Sequence, residues 1–501
     1  MAWADARKLL CVRLDNMGDV IMTTPAFRAL KTLNPDVRLT LLTSAIGAGI
    51  AEFIPEIDHV IPFDVPWMRT DTASAAVTEL IERLAAEQFD AAILFTVFSQ
   101  NPLPAALICY MANIPLRLGY CRENPYHLLT DWTPDSEPFT PIKHEVERQL
   151  ALVSNIGAQA GDRALRLTVP DDARASALSK AQIDPARRWL ILHPGVSEGR
   201  RQYPPEQFIE AGQALRDKQI VVTGGDAEID LCERVAREVG GVSLAGKLTL
   251  GELIGLIDAA PMLITNNTGT AHIAAAVKTP VVVLYAHTNP QHTPWKTPNR
   301  VLYFDVPLSA RSKNTLLEYT YHQTVSQPVI DAQPDDIVRA VNELFEETSM
   351  EIASVAFKDR QPVPTAYTCD GANVSPPLTF SDIPANAKSL VLMVEDVDAP
   401  ANPWVHWLVF NIPPTTTTVR PDSIPDGATE GLANGGTHGY EGPCPRYFAG
   451  THHYKFRLLA LDTWLDLPAA STRADVLARA EGHIIAEALL VGTALGSLAE
   501  H

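Results

Sequence analysis

Two stretches of this chain carry residue types and spacings that could do chemistry. Met262-Leu-Ile-Thr-Asn-Asn-Thr-Gly-Thr-Ala-His-Ile-Ala-Ala-Ala276 passes from an apolar strand through a small-residue turn into an Ala-rich helix. Thr268, Gly269 and Thr270 then stand at the helix N-terminus, where unpaired backbone N–H groups and the helix dipole favour a phosphate or another anion. Asn267 precedes them, and His272, one turn in, faces the same crevice. An ordinary strand-to-helix turn would carry the same letters. Val12-Arg-Leu-Asp-Asn-Met-Gly-Asp-Val-Ile-Met-Thr-Thr-Pro-Ala26 again reads strand, Gly turn, helix, without the G-x-G-x-x-G of a dinucleotide site. Its Asp19 is an acid at the carboxyl end of a first strand, where open sheets place their ligands, or else a helix-capping Asp.

Other residues could serve such a crevice. Leu192-His-Pro-Gly195 ends a strand, and Arg200-Arg201-Gln202-Tyr203-Pro204 brings two cations to the next turn. Paired arginines suit a diphosphate; a solvated basic loop is the alternative. Thr223-Gly-Gly-Asp-Ala-Glu228 closes another strand, and Glu228 either accepts hydrogen bonds from a ribose or base edge or caps the following helix. Ser99-Gln100-Asn101-Pro102, Arg117, Arg122-Glu123-Asn124 and His144-Glu145 lie on the side of Asp19, as substrate contacts or as ion pairs.

The elements that must hold these residues follow an alternating pattern. Leu9–Leu14, Leu39–Leu42, Val60–Phe63 and Ala91–Phe95 read as strands, with helices over Pro25–Leu33 and Ser74–Gln88. A polar stretch, Val169–Pro185, leads into a second series with strands at Trp189–His193, Ile220–Thr223, Val242–Leu244, Met262–Thr265 and Val281–Tyr285. Its helices are Pro205–Arg216, Ala227–Glu238, Leu250–Ala259 and Thr270–Val277, and Asp335–Glu347 closes the series. Such alternation predicts doubly wound parallel sheets. After Met350 strands dominate: Ser389–Glu395, His406–Ile412 and Tyr454–Leu458, with one amphipathic helix over about Arg473–Val491. The expected organisation is two α/β domains, residues 1–170 and 171–347, followed by a mostly-β domain, residues 351–501.

Composition excludes some partners. The 501 residues carry 40 basic against 59 acidic side chains, a net charge of −19 that disfavours a nucleic-acid backbone. No apolar run is long enough to span a bilayer and the N-terminus has no signal-peptide core, so a cytoplasmic protein is expected, resting at most on a membrane surface. Six cysteines show neither a disulfide framework nor zinc spacing; Cys369 and Cys444 could pair, with free thiols the default.

Taken together, the first two domains resemble glycosyltransferase family 9, the heptosyltransferase family of lipopolysaccharide synthesis. The likeness runs from about Lys8 to Glu347, through Arg13–Ala26, His193–Gly195, Arg200–Pro204, Gly224–Glu228, Leu244–Leu253 and Asn267–Ala276. It implies a GT-B fold of two Rossmann-like domains, the acceptor on the first and the nucleotide-sugar donor on the second. Asp19 matches the family's catalytic base, Arg201 a phosphate contact and Glu228 a nucleotide contact. Asn267, Thr268, Gly269 and His272 match the diphosphate-binding turn, and Arg117 and Arg122 suit an anionic sugar acceptor. The reaction implied is inverting transfer, with ADP-heptose or a similar donor as substrate, a glycan or glycolipid acceptor, and neither metal nor cofactor. Asn267 stands where the family often has Asp, and Arg201-Gln202-Tyr203-Pro204 where it commonly has Lys-x-Trp-Pro.

The last domain is similar to the phosphatidylethanolamine-binding protein family, in its bacterial Raf-kinase-inhibitor-like branch. The likeness rests on Thr368–Pro377, Glu395–Pro400, Trp404–Trp407, Gly439–Pro445 and His452–Tyr454. It implies a β-sandwich whose Asp396, Pro400, His406, Gly442, Pro443, His452 and Tyr454 line a small anion pocket. Arg446 departs from the branch, which commonly has Pro there. No nucleophile is paired with a base in this domain, so a binding module is expected. A non-catalytic nucleotide- and phospholigand-binding protein is the alternative for the whole chain.

Overall fold

In the computed structural model the described residues are 2–68, 72–184, 187–311, 314–325, 329–347, 350–384, 386–399 and 403–497. They form two compact units, Met1–Leu344 and Phe345–His501.

The first unit holds two sheets of the same topology. Strands β1 (Lys8–Arg13), β2 (Arg38–Thr43), β3 (His59–Pro62), β4 (Ala91–Leu94), β5 (Leu116–Cys121) and β6 (Asp131–Pro134) are ordered β3-β2-β1-β4-β5-β6, all parallel. Strands β7 (Trp189–His193), β8 (Gln219–Val222), β9 (Val242–Ser243), β10 (Leu263–Asn266), β11 (Val281–Tyr285) and β12 (Asn299–Tyr303) are ordered β12-β11-β10-β7-β8-β9, also parallel. Their continuous apolar runs suit strands covered on both faces. Chain order reverses between β1 and β4, and again between β7 and β10. These are the switch points at whose carboxyl ends doubly wound sheets form crevices.

Helix α1 covers Met17–Leu33, eight residues earlier than the expected start at Pro25. The proline removes the amide that would have bonded the Ile21 carbonyl, and the Thr24 hydroxyl donates to that carbonyl instead at 2.8 Å. Helices α2 (Ala45–Ala51), α3 (Ser74–Glu87), α4 (Leu103–Met111) and α5 (Glu145–Ser154) complete the first half. The polar stretch expected between the halves contains a helix, α6 (Asp171–Ala181), which packs on the helix over Leu250–Ala259. Its buried side chains are only Ala177 and Ala181, so it shows almost no amphipathic pattern. The approach is close: a Cβ on Gly255 would lie 2.6 Å from the Cα of Arg174. The second half adds α7 (Pro205–Ala214), α8 (Ile229–Val239), α9 (Leu250–Ala259), α10 (Gly269–Val277), α11 (Thr315–Thr324) and α12 (Pro334–Glu347). One hydrophobic cluster runs through both halves, from Leu9 and Phe27 to Ile273 and Val283, with α1 packed on α10.

The second unit is a sandwich. Strands β13 (Glu351–Ala353), β15 (Leu378–Ser381) and β18 (Thr418–Val419) form one sheet; β14 (Gln361–Pro362), β16 (Ser389–Asp396), β17 (Trp404–Ile412), β19 (Thr429–Glu430), β20 (Thr451–Leu461) and β21 (Ile484–Leu495) form the other. The expected closing helix is corrected here. Helix α13 covers only Arg473–Ala480, Gly482 turns the chain at a φ of 78°, and the remaining residues pair with β20 as β21. Cys369 and Cys444 are joined by a disulfide with Cα atoms 5.1 Å apart, which corrects the expectation of free thiols; the other four cysteines are free and buried.

Candidate functional site

Both switch points of the first unit point into one crevice. After β1 the chain turns through Asn16 into α1 and presents Asp19 in the first helical turn. After β10 it turns through Asn267 into α10, with Thr268 at the cap and Gly269 the first helical residue. The Thr268 cap makes no side-chain bond to the α10 amides; its hydroxyl lies 2.8 Å from that of Thr270, which is also 2.8 Å from Thr265. The two turns touch. A Cβ on Gly18 would stand 2.5 Å from Cδ2 of His272, and one on Gly269 would stand 2.6 Å from Cε of Met17. Glycine at both positions is what lets α1 and α10 meet end to end.

Asp19 belongs to a buried ionic cluster. Arg13, the last residue of β1 and 0% exposed, places Nη2 3.1 Å from Asp19 Oδ1 and 2.8 Å from Glu145 Oε1, with Nε 3.2 Å from Asp15 Oδ2. One guanidinium therefore serves three carboxylates. Burial would raise the pKa of Glu145, but Arg13 and His292 outweigh it and hold it well below the usual carboxylate range. Burial dominates at Asp15 and pushes it up to about 6, against the pull of Arg13 and a hydrogen bond from Gln100. The ionised form of Asp15 thus costs stability above that pH, and the cost disappears as pH falls through about 6 toward the unfolded value of about 3.9. Asp15→Asn should gain thermal stability relative to wild type at pH 8 and lose that advantage by pH 4.5, as melting curves at the two pH values would show.

Other groups complete the crevice. His272 is buried with no hydrogen-bond partner for Nδ1, and burial together with His292 and His144 pushes its pKa down to about 3. It is a neutral imidazole at working pH. Asn267 is buried and donates to the Thr288 hydroxyl at 3.0 Å. Arg201 lies 3.4 Å from Glu198, with its Nε buried and without a hydrogen-bond partner. Glu228 accepts the Gly225 N–H at 2.8 Å, the capping role open to it, and its carboxylate lies against Gly195 so closely that a Cβ there would be 2.1 Å away. Beside the cluster, at the ends of β1 and β4, is a cavity of about 160 Å³ lined by Leu14, Phe95, Thr96, Gln100, Asn101 and Trp67, among others.

The two arginines expected to grip an anionic acceptor are engaged elsewhere. Arg117 donates to the carbonyls of Leu128 and His127, each at 2.7 Å, and to that of Ile114, clamping the loop before β6. Arg122 donates to the carbonyls of Glu137 at 2.9 Å and of Phe98, and pairs with Asp135 at 3.2 Å. Conversely Arg13, Asp15 and His292 had not been singled out. Arg13 and Asp15 stand six and four residues before Asp19 in the same motif, so an Arg-x-Asp at a strand end was the available signal.

In the second unit, Asp396 ends β16 beside Trp404 of β17 and Tyr454 of β20. Its Oδ2 is 2.7 Å from Nδ1 of His452, whose ring stacks on Phe448 at 3.8 Å. His406 bonds the Glu441 carbonyl through Nδ1 at 2.6 Å and meets Tyr454 edge-on at 5.1 Å; burial lowers its pKa and keeps it neutral. Gly442 donates to Asn373 at 2.9 Å, and the Pro443 carbonyl accepts the Cys369 N–H at 2.9 Å. Pro400 lies outside the described residues.

Known proteins match each unit. The glycosyltransferase family 9 (heptosyltransferase) profile matches residues 77–328, and the phosphatidylethanolamine-binding protein profile matches residues 353–495. The chain is 18% identical to a glycosyl transferase family 9 structure from Veillonella parvula, with a TM-score of 0.54, covering 68% of this chain and 97% of that one. It is 22% identical to the ADP-heptose lipopolysaccharide heptosyltransferase II structure from E. coli, with a TM-score of 0.52, covering 68% of this chain and 99% of that one. The C-terminal part is 49% identical over 148 residues to the UPF0098 protein of Methanothermobacter thermautotrophicus, covering 28% of this chain and 97% of that protein.

Proposed function

Because the chain belongs to glycosyltransferase family 9, with a phosphatidylethanolamine-binding-protein unit appended, we propose that it transfers a heptose from ADP-heptose, with inversion, to a lipopolysaccharide-core or related envelope glycan. The observation that carries this reading is the meeting of Asp19 with the N-terminus of α10 across the two switch points. Asp19 removes the proton from an acceptor hydroxyl as that oxygen bonds the anomeric carbon; the bond from that carbon to the diphosphate oxygen breaks, and its electron pair leaves with the nucleoside diphosphate. The amides of Thr268 and Gly269, the His272 N–H and Arg201 receive the diphosphate charge, and Glu228 the nucleotide. Asn267 keeps this turn in place through Thr288. The acceptor enters beside Gln100 and Trp67, with Arg117 and Arg122 shaping the loops around it.

The second unit is proposed to bind a phosphorylated head group. Asp396 fixes the His452 proton on Nδ1 and so aims the imidazole into the pocket. Asp396→Ala should weaken phosphoethanolamine binding roughly tenfold, read by NMR titration of the histidine signals. The reading places the enzyme at the inner face of the cytoplasmic membrane. Among the described residues no helix is long and apolar enough to cross a membrane. The Cys369–Cys444 bond argues the other way for its unit, since reducing compartments keep such pairs as thiols. The test is release of ADP from ADP-heptose that depends on a lipid-A-core acceptor. ADP binding without turnover over a broad acceptor panel would favour the non-catalytic alternative.

A further inference from the structure

The segment after β11 leaves the second half of the first unit and docks on the first. Gln291 donates to the Lys143 carbonyl at 2.6 Å, the Thr293 carbonyl lies 2.8 Å from Nε2 of His144, and the Trp295 ring lies tilted against that of His144, centroids 4.5 Å apart, while donating to the Arg163 carbonyl at 2.8 Å. Within this strap His292 spans the carboxylate cluster: Nδ1 is 3.9 Å from Asp19 Oδ1, and Nε2 is 3.8 Å from Glu145 Oε2. Glu145 Oε2 is buried and has no hydrogen-bond partner. Besides His292, the basic side chain that meets Asp19 among the described residues is Arg13, which already serves Asp15 and Glu145.

The ring's orientation is fixed by Asn289. Its Oδ1 accepts the Gln291 N–H at 3.0 Å, so its amide nitrogen, 3.2 Å from His292 Nε2, is the group that faces the ring. A donor against Nε2 leaves the ring proton on Nδ1, facing Asp19. Catalytic hydrogen bonds are often long at rest and tighten in the reacting complex, and an approach of roughly 1 Å would bring Nδ1–H and Asp19 within bonding range.

We propose that His292 is a positioning residue: delivered across the crevice by the strap, its Nδ1–H orients Asp19, so that the base is set only when the two halves are together. The inference rests on Asp19 being the base. The experiment uses the full chain with ADP-heptose and a lipid-A-core acceptor, comparing wild type, His292→Ala and His292→Gln. His292→Ala should lower kcat roughly tenfold or more, with KM for the donor and Kd for ADP within about twofold of wild type. His292→Gln, whose amide can donate from a similar place, should regain much of the loss. An unchanged kcat in His292→Ala, or a loss carried by donor KM alone, would overturn the proposal. A readout independent of turnover separates it from the transferase reading. In ¹⁵N-histidine-labelled protein the His292 signals should show the Nδ1–H tautomer and shift in Asp19→Asn. An Nε2–H tautomer, or signals indifferent to that substitution, would also overturn it, whereas lack of turnover in wild type with the expected signals would count against the transferase reading alone.

Discussion

Asp19→Asn is expected to lower acceptor-dependent sugar transfer by about 10²–10⁴-fold while leaving ADP affinity within about twofold. The amide keeps the shape of the carboxylate and its oxygen can still accept from Arg13 Nη2, now 3.1 Å away, so the turn and the cluster persist. What it loses is the ability to take a proton. The α10 N-terminus, Arg201 and His272 lie outside the substitution, so the nucleotide should still bind. Steady-state rates and calorimetric ADP titration on the same two proteins measure both halves of this expectation. A loss in ADP affinity matching the loss in rate would mean that Asp19 shapes the nucleotide site instead.

Arg13→Met should strongly destabilise the first unit. It leaves Asp15, Asp19 and Glu145 facing one another, and Glu145 is 0% exposed and cannot turn to water. Removing one member of a buried ion pair costs about 3–5 kcal/mol, which in a unit this large lowers the melting transition by roughly 4–7 °C. The pH dependence has a definite sign. With Arg13, the largest opposing influence, gone, only His292 and Arg148 oppose burial at Glu145, so its pKa in the fold is expected to rise above the unfolded value. The deficit is then full at pH 8 and shrinks as pH falls and the acid takes up a proton. Thermal melts of the variant and wild type at pH 8 and pH 5 would show this; a deficit that is equal at both, or larger at pH 5, would contradict the account of the cluster.

How much of this was legible in the sequence follows from how local each signal is. Trp189–His193, Val281–Tyr285 and Leu250–Ala259 were readable to the residue because uninterrupted apolar runs and a Thr249–Glu252 capping box declare themselves within one element. Helix α6 was not readable: it buries two alanines against Gly255, and a contact made of small side chains leaves no apolar stripe. Strand β21 was misread because Ile484-Ile-Ala-Glu-Ala-Leu-Leu-Val491 fits a helical period as well as an alternating one, and only pairing with β20 decides. Asp19 and the Asn267–His272 turn could be picked out because each sits in a strand-turn-helix of its own. The Arg13 cluster gathers residues from β1, α1 and the start of α5, with His292 arriving from the other half, and no spacing along the chain encodes that meeting. Arg117 shows the converse: a cation in the expected place whose donors are taken up by backbone carbonyls.

The most direct test of the central claim is the anomeric configuration of the product. Wild-type protein given ADP-heptose and a lipid-A-core acceptor should yield one glycoside whose anomeric centre is inverted relative to the donor, assigned by NMR coupling constants, with one ADP released per sugar transferred and transfer by Asp19→Asn at least about 10²-fold slower. A product of retained configuration, or transfer that persists in Asp19→Asn at the wild-type rate, would contradict the account.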